Sequence, residues 1–400
     1  MAATTTQPTT APGPLVVSSR IKTVSAVFAF LGLVSFIGLL FVNKERAWHA
    51  YLTGYFYFTS LALGGLFFTA IQHLVKAGWS VNIRRFSESM TSFLPVAFIG
   101  GLVLLFGAPS LYLWMDSSAV ASDYLLQHKV GYLNFPFFVI RILVFFAVWI
   151  FFWKKIVGGS VKQDDTGEEE ISNKLTGFAV GFTLFFAITY SFFSLDLMMT
   201  LEPHWFSTIF GVYAFAGLFQ SSLAFLVLLV IYCMKKGLLK GFVDENHLHD
   251  LGKFLFAFTV FWAYIAYSQF MLIWYANLPE ETMFFLHRMH GGWIWVSLSL
   301  IVFKFVVPFL ALLPQRAKRN PNYLASVAVL ILIMQYVDFY WIVYPNLDDQ
   351  QVILNVPEIL VWLGFGGVFL MTTFRFLSKH AIVPKKDPRQ AESNHHHVVY

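Results

Sequence analysis

Long, unbroken apolar runs separated by short polar stretches organise this chain. They fall near 22–42, 50–74, 92–114, 133–153, 175–199, 206–234, 250–276, 290–313, 323–344 and 356–378. Each is close to the roughly 20 apolar residues that carry a helix across a hydrocarbon core. The runs are continuous rather than alternating, so they lack the short two-residue periodicity of outer-membrane barrel strands. The pattern therefore predicts an all-α integral membrane protein of about ten transmembrane helices.

Composition sharpens that picture. Hydrophobic residues make up 58% of the 400 and charged residues only 12%, with mean hydropathy +0.65. A soluble domain carries about twice that share of charge. The formal charge of +5 is not a nucleic-acid signature here, because basic residues in a membrane protein first mark the cytoplasmic side. Arg20, Lys22, Lys76, Arg84, Arg85, Lys154, Lys155, Lys162, Lys174, Lys235, Lys236, Lys240, Lys253, Arg316, Lys318, Arg319 and the tail from Arg375 onward fall in one alternate set of loops and ends. The opposite loops hold only Lys44, Arg46, Lys129 and Arg288, beside the acids Asp116, Asp123, Glu202, Glu280, Glu281, Asp348, Asp349 and Glu358. This asymmetry predicts both termini in the cytoplasm.

The Thr/Pro-rich N-terminus reads as disordered, and the first apolar run is too long for a signal-peptide core, so it reads as a retained helix. The tail SNHHHVVY reads as solvated and without a role, although its histidines could bind metal weakly. A single cysteine, Cys233, excludes a disulfide framework and a Cys-ligated iron–sulfur cluster within this chain.

Local signals add detail. Thr166 and Glu169 have capping-box spacing ahead of the fifth run. Pro279 followed by Glu280 and Glu281 reads as a helix start on the outer side, and Gly291-Gly292 as a break before the eighth run. VDENHLHDLGKF (243–254) reads as the start of the seventh, with Asp250 and Lys253 able to pair at i,i+3. Its His247 and His249 point to nearly opposite sides of a helix and make a poor metal pair. Trp205, Trp274, Trp293, Trp295 and Trp341 read as an outer aromatic belt. TGYFYFTSLALGGLFF (53–68) faintly echoes FGVYAFAGLFQSSLAF (210–225), which would suit two similar four-helix units, spans two to five and six to nine.

Ionisable residues inside a span are costly and face the bundle interior or a wet cavity. Arg141, Asp196, Lys304 and Asp338 are of this kind, whereas Arg375 lies near a helix end and can snorkel. Two readings stay open for SLDLMMTLEPHWFST (194–208). In one, Glu202 and His204 are interfacial and Asp196 caps a helix or pairs with Arg141. In the other, Asp196, Glu202, His204 and Asp338, with His287, Arg288 and His290, line an outer-side polar pocket that passes protons or holds a polar headgroup. Imidazoles and buried carboxylates titrate near neutrality, which suits a relay. Lys304 and Arg141 are either a structural ion pair or carbonyl ligand, or part of a proton or ion path. For Lys304 the candidate partners are Tyr264, Tyr267 or Gln269 of the seventh span, or Gln220, Ser221 and Ser222 of the sixth.

Paired interior histidines for haem b, a P-loop, an HExxH zinc motif and a nucleophile elbow are not found. The chemistry left is that of protons, quinones, ions or lipophilic substrates.

The segments LDLMMTLEPHWFSTIFGVYAFAG (195–217) and HDLGKFLFAFTVFWAYIAYSQFMLIWYANLPEETMFFLHR (249–288) resemble the F subunit of bacterial alternative complex III, a quinol:cytochrome c oxidoreductase, in the wider group related to the membrane subunit of polysulfide reductase. The likeness covers nearly all of spans two to ten and is most specific at LEPHWFST and at WYANLPEET followed by Arg288. It implies two four-helix bundles plus flanking helices. The corresponding divisions are a disordered cytoplasmic tail 1–20, a first flanking helix 21–48, bundles 49–200 and 201–350, a last flanking helix 351–380 and a cytoplasmic tail 381–400.

The resemblance further implies a multi-pass subunit of the bacterial inner (cytoplasmic) membrane. Its partners would be a sister polysulfide-reductase-like membrane subunit, an iron–sulfur subunit and multihaem cytochrome c subunits, with a terminal oxidase as a further associate. Haem and iron–sulfur clusters would sit in those partners, with no cofactor ligated by this chain, and the quinol pocket proper in the sister subunit. Asp196, Glu202 and His204 match the family's signature stretch, where proton exchange or gating is expected rather than quinol oxidation. Arg141, Lys304, Asp338, Tyr264, Tyr267, Gln269, His287 and Arg288 complete the candidates for a proton path or secondary quinone site. An independent secondary transporter is the alternative, though paired Gly/Pro helix breaks are not evident. A passive anchor for partner proteins is the third reading.

Overall fold

A computed structural model describes residues 12–397. Among them, ten helices are long and apolar enough to cross a membrane: Ser19–Val42, Lys44–Leu74, Val81–Leu111, Phe135–Thr166, Glu169–Leu201, Phe210–Lys235, Glu245–Ala276, Trp293–Leu312, Pro321–Asn346 and Val356–Leu377, here called spans 1 to 10. Every apolar run of the sequence becomes one of these helices, as in a multi-pass membrane protein.

Helix starts follow from local chemistry. Asn134 accepts from Phe137 N at 2.9 Å, with Pro136 just inside the fourth span. Asp244 and His247 form a reciprocal capping box at the start of the seventh. Pro279 opens the short connecting helix Pro279–Met289, and Gly291, at φ +54°, breaks the chain before span 8. The capping box expected at Thr166 does not form. Thr166 is the last residue of span 4, and Gly167 turns the chain with φ +70°, so Glu168 rather than Thr166 precedes span 5. Span 3 also starts eleven residues before the apolar run expected at 92. Its polar first turns lie inside the protein, where Arg84 and Arg85 form ion pairs with Glu88 and with Asp387 and Asp164.

Spans 2 and 6 form the centre. Span 2 packs against spans 1, 3, 5, 6, 9 and 10, and span 6 against spans 2, 5, 7 and 9. Their mutual approach depends on Gly64, where a Cβ would lie 2.0 Å from Ser222 Oγ. Span 1 packs chiefly on span 10 through Gly32 and Gly364; a Cβ on Gly32 would lie 2.4 Å from Gly364 Cα. Small residues that let helix backbones touch are the usual currency of association in lipid, where hydrophobic burial between helices contributes little. Trp274 and Trp295 are exposed, while Trp205, Trp293 and Trp341 pack inside and so do not belong to a belt.

Both ends of the described chain lie at one end of the molecule, hereafter the terminal end. Leu15 N donates to Leu377 O at 2.8 Å, and Pro14 pairs with Ala381. The disorder expected for residues 1–20 therefore does not extend to 12–20, because Leu15 is buried and span 1 has begun by Ser19; residues 1–11 lie outside the described residues. The C-terminal tail is docked over most of its described length, although His395 and His397 are exposed as expected for SNHHHVVY and residues 398–400 lie outside the described residues. Ile382 and Val383 are buried, Asp387 accepts from Arg84 Nη2 at 2.6 Å, and Ser393 donates to Trp79 O at 2.8 Å. His396 reaches Asp250 at 2.6 Å. The segment 381–397 is thus pinned by apolar burial and charge-assisted hydrogen bonds across the feet of spans 3, 4 and 7.

Span 8 contains one further irregularity. Leu300–Val306 forms a π-helical turn, a rare wide turn that often accompanies a functional site.

Candidate functional site

Three of the carboxylate and imidazole candidates lie within nine residues of sequence, yet the fold sends them in three directions. Asp196, fully buried, accepts from Arg141 Nε at 2.7 Å and from Tyr132 Oη at 2.9 Å. Arg141 also donates to Tyr132 O at 2.9 Å, with its guanidinium 3.9 Å from the Tyr132 ring. This is the ion-pair reading of Asp196, and both carboxylate oxygens are taken.

Glu202 instead accepts from Arg288 Nη2 at 2.7 Å. Arg288 is buried on the connecting helix and also donates to the carbonyls of Phe284, Trp341 and Ile342, so it ties that helix to the end of span 9. His204 faces out and meets Asp123 at 2.5 Å. The hydrogen bond from that imidazole holds the Asp123 carboxyl below its ordinary value. His287 is half-buried and His290 exposed. The structure brings Glu202 and Arg288 of the expected outer pocket together, but Asp196, His204 and Asp338 turn instead to Arg141, Asp123 and Lys304. An open groove of about 660 Å³ does lie there, lined by His204, Tyr132, His128, Lys129, Thr200 and Glu280.

The second cluster is deeper. Lys304 sits in the π-helical turn with no solvent exposure. Its Nζ donates to Gln335 Oε1 at 2.8 Å and pairs with Asp338 Oδ2. Tyr213 Oη donates to the other carboxylate oxygen, and the ammonium lies 4.3 Å from the centre of the Trp262 ring. The expected partners of Lys304 are not the observed ones. Tyr264 and Tyr267 are each 63% exposed and face away, Gln220 donates to Thr259, and Ser221 and Ser222 donate to backbone carbonyls. The residues missed were Tyr213, Trp262 and Gln335. Gln335 and Asp338 are three apart on one helix face, a spacing that was visible in the sequence.

Beside this cluster, spans 7 and 8 part to form a cavity of about 410 Å³ in which aromatic side chains predominate. Trp262, Phe270, Phe285 and Phe305 form walls, Tyr267 stands at the lipid-facing edge, and Tyr213 joins the cavity to Asp338. Gln269 is buried against it, and its amide oxygen has no hydrogen-bond partner in the protein. This buried acceptor is open to a donor from whatever fills the cavity, water included.

A third cluster, at the terminal end, was not singled out from sequence. Arg84 meets Glu88 at 3.4 Å and Asp387 at 2.6 Å; Arg85 meets Glu88 and Asp164, each at 2.8 Å. Ser160 donates to Glu88 at 2.7 Å. Arg84 and Arg85 looked like loop cations because the acids that hold them come from the same turns, from span 4 and from the far C-terminus. Burial pushes the Asp387 carboxyl up, but Arg84 more than offsets it, so the group lies below its ordinary value. Among the described residues no group of three or more His, Cys, Asp or Glu side chains is placed to hold a metal ion.

No protein-family model matches this chain, and no curated protein matches it as a relative.

Proposed function

We propose that this chain is a membrane subunit of a respiratory quinol:cytochrome c oxidoreductase of the alternative complex III type, and that its second half carries protons. The observation that carries the reading is the Lys304–Asp338–Tyr213 cluster, a buried cation, carboxylate and phenol beside a lipid-facing cavity. The resemblance at LEPHWFST and WYANLPEET supports the placement in such a complex. On this reading spans 2–5 and 6–9 are two related four-helix bundles flanked by spans 1 and 10, and the terminal end is cytoplasmic, as its excess of Lys and Arg argues.

A structural correspondence supports the two-bundle reading. In each set of four, the third helix supplies a buried cation and the fourth a buried aspartate: Arg141 with Asp196, and Lys304 with Asp338.

The chemistry follows from the contacts. Tyr213 lines the cavity and donates a hydrogen bond from its hydroxyl to Asp338, which places it to relay protons between the cavity and the buried pair. Lys304 stabilises the Asp338 carboxylate and, were Asp338 protonated, would keep its existing bond to Gln335. Quinone chemistry would supply or take up those protons. The residues fit a hydroxyl-bearing ring head: aromatic walls to stack on, and the open amide oxygen of Gln269 to accept from its hydroxyl. Haem and iron–sulfur groups belong, on this proposal, to the partner subunits.

Purification from native bacterial membrane tests the assignment. The chain is expected to come with haem c- and iron–sulfur-containing partners in a quinol-oxidising assembly. A chain that runs alone and drives substrate-dependent uptake into liposomes would replace this reading with the secondary transporter.

A further inference from the structure

We propose that the cleft between the docked C-terminal segment and the start of span 5 binds an anionic phosphate group. The cleft, about 140 Å³, is lined by Lys76, Glu169, Ser172, Asn173, Thr176 and Arg389, together with Pro388. Two cations therefore face one carboxylate, with two hydroxyls and an amide between them. A tetrahedral oxyanion can accept from a guanidinium, an ammonium and the Ser172 hydroxyl at once, the Thr176 hydroxyl being already bonded to the carbonyls of His73 and Ser172.

The second observation is a set of polar groups left open around the same place. Arg389 Nη1 is buried without a partner, and Arg389 Nε stays 3.8 Å from Asp387, too far for a hydrogen bond. Behind it, His73 is fully buried with neither ring nitrogen bonded, within electrostatic reach of Arg84, Arg85 and Arg389. The open group of Arg389 is a donor, which is the complement of an anion rather than of a cation or an apolar tail. The backbone favours the same choice. The cleft lies against the first two turns of span 5, whose dipole favours negative charge at its first turn, where Glu169 and Glu170 already sit. Lys76, at φ +52°, follows the end of span 2 in a left-handed conformation.

Pro388 and Arg389 belong to the docked segment, whereas Ser172 and Thr176 belong to span 5 and Lys76 follows span 2. An occupant would therefore staple the segment to the bundle. Two sources share this chemistry: the headgroup of an anionic phospholipid in the adjacent leaflet, and free inorganic phosphate.

The test uses the full chain in its native assembly, moved into nanodiscs of phosphatidylcholine alone or with phosphatidylglycerol, each with and without millimolar inorganic phosphate. The readout is the rate at which protease removes the C-terminal segment. Phosphatidylglycerol is expected to slow cleavage, with Arg389→Gln and Lys76→Gln each weakening the half-saturating lipid content about fivefold and Glu169→Gln strengthening it. Protection by inorganic phosphate in phosphatidylcholine alone, lost in the same variants, would support the site with the free ion as its source. Protection by neither additive, or protection that Arg389→Gln, Lys76→Gln and Glu169→Gln all leave unchanged, overturns the proposal.

Discussion

The two buried cation–aspartate pairs occupy corresponding helices but live in different surroundings. Arg141 lies six residues into span 4, about 9 Å along the helix, whereas Lys304 lies eleven residues into span 8, about 16 Å. In the shallow pair Asp196 accepts from Arg141 and Tyr132, aromatic rings cover the guanidinium, and Tyr132 also lines the open outer groove. The deep pair has the same carboxylate, cation and phenol, and differs in a side-chain amide, Gln335, that also binds the ammonium, in the aromatic cavity beside Tyr213, and in a helix widened by a π-turn. Similar ionic chemistry thus sits at two depths in different surroundings, and on the proposed function proton handling belongs to the deeper pair alone. Burial of charge alone does not distinguish them; the neighbours do.

Breaking each pair should separate these roles. The largest effect is expected for Lys304→Met, which strands Asp338 in a dry interior and should cost about 3–5 kcal/mol in denaturant titrations of the purified chain in micelles. Adding Asp338→Leu should restore most of that stability, because two apolar groups replace two charges, but should not restore proton handling. Arg141→Met comes next, at about 2–3 kcal/mol, since its site is nearer the interface and water can reach Asp196 more easily. The Arg141→Met/Asp196→Leu pair should recover both stability and quinol turnover. A turnover defect that persists in this double variant would show that the clasp is more than structural.

What sequence reading recovered, and what it did not, follows the same division. Spans were legible because an apolar run long enough to cross lipid has little use anywhere else, and Arg141, Asp196, Lys304 and Asp338 were legible because charge inside lipid is rare. Partners were not, since pairing depends on helix rotation: Lys304 turns toward Asp338 and Gln335 of span 9 rather than toward span 6 or the outward-facing Tyr264 and Tyr267. Glu202 and His204, two residues apart, diverge because Pro203 lies between them in an irregular turn, and their partners Arg288 and Asp123 come from distant loops. The docked C-terminus was hidden for a different reason. Its sequence is polar, and only the buried Arg84 and Asn82 waiting at the foot of span 3 give that polarity a place to be satisfied.

Smaller effects sharpen the contrast between rigid and responsive parts. Gly32→Val should force spans 1 and 10 apart and cost about 1–3 kcal/mol, read as earlier loss of helicity on heating, with the Lys304 cluster untouched. Asp387 should make docking of segment 381–397 pH-dependent. Its carboxyl is lowered in the folded chain, so its contribution is complete above the ordinary carboxylate value near about 4 and is lost as pH falls through the depressed one. Protease release of the segment should therefore rise only in acid, and Asp387→Asn should show the released behaviour at neutral pH.

The central claim is that protons pass through the Lys304–Asp338–Tyr213 cluster and not through the Arg141–Asp196 clasp. Proton release coupled to quinol oxidation, measured with a trapped pH dye in liposomes holding the assembled complex, tests it most directly. The account predicts that Lys304→Met/Asp338→Leu assembles normally but loses coupled release, while Arg141→Met/Asp196→Leu keeps it. Normal release from the first double variant, with assembly intact, would contradict the account.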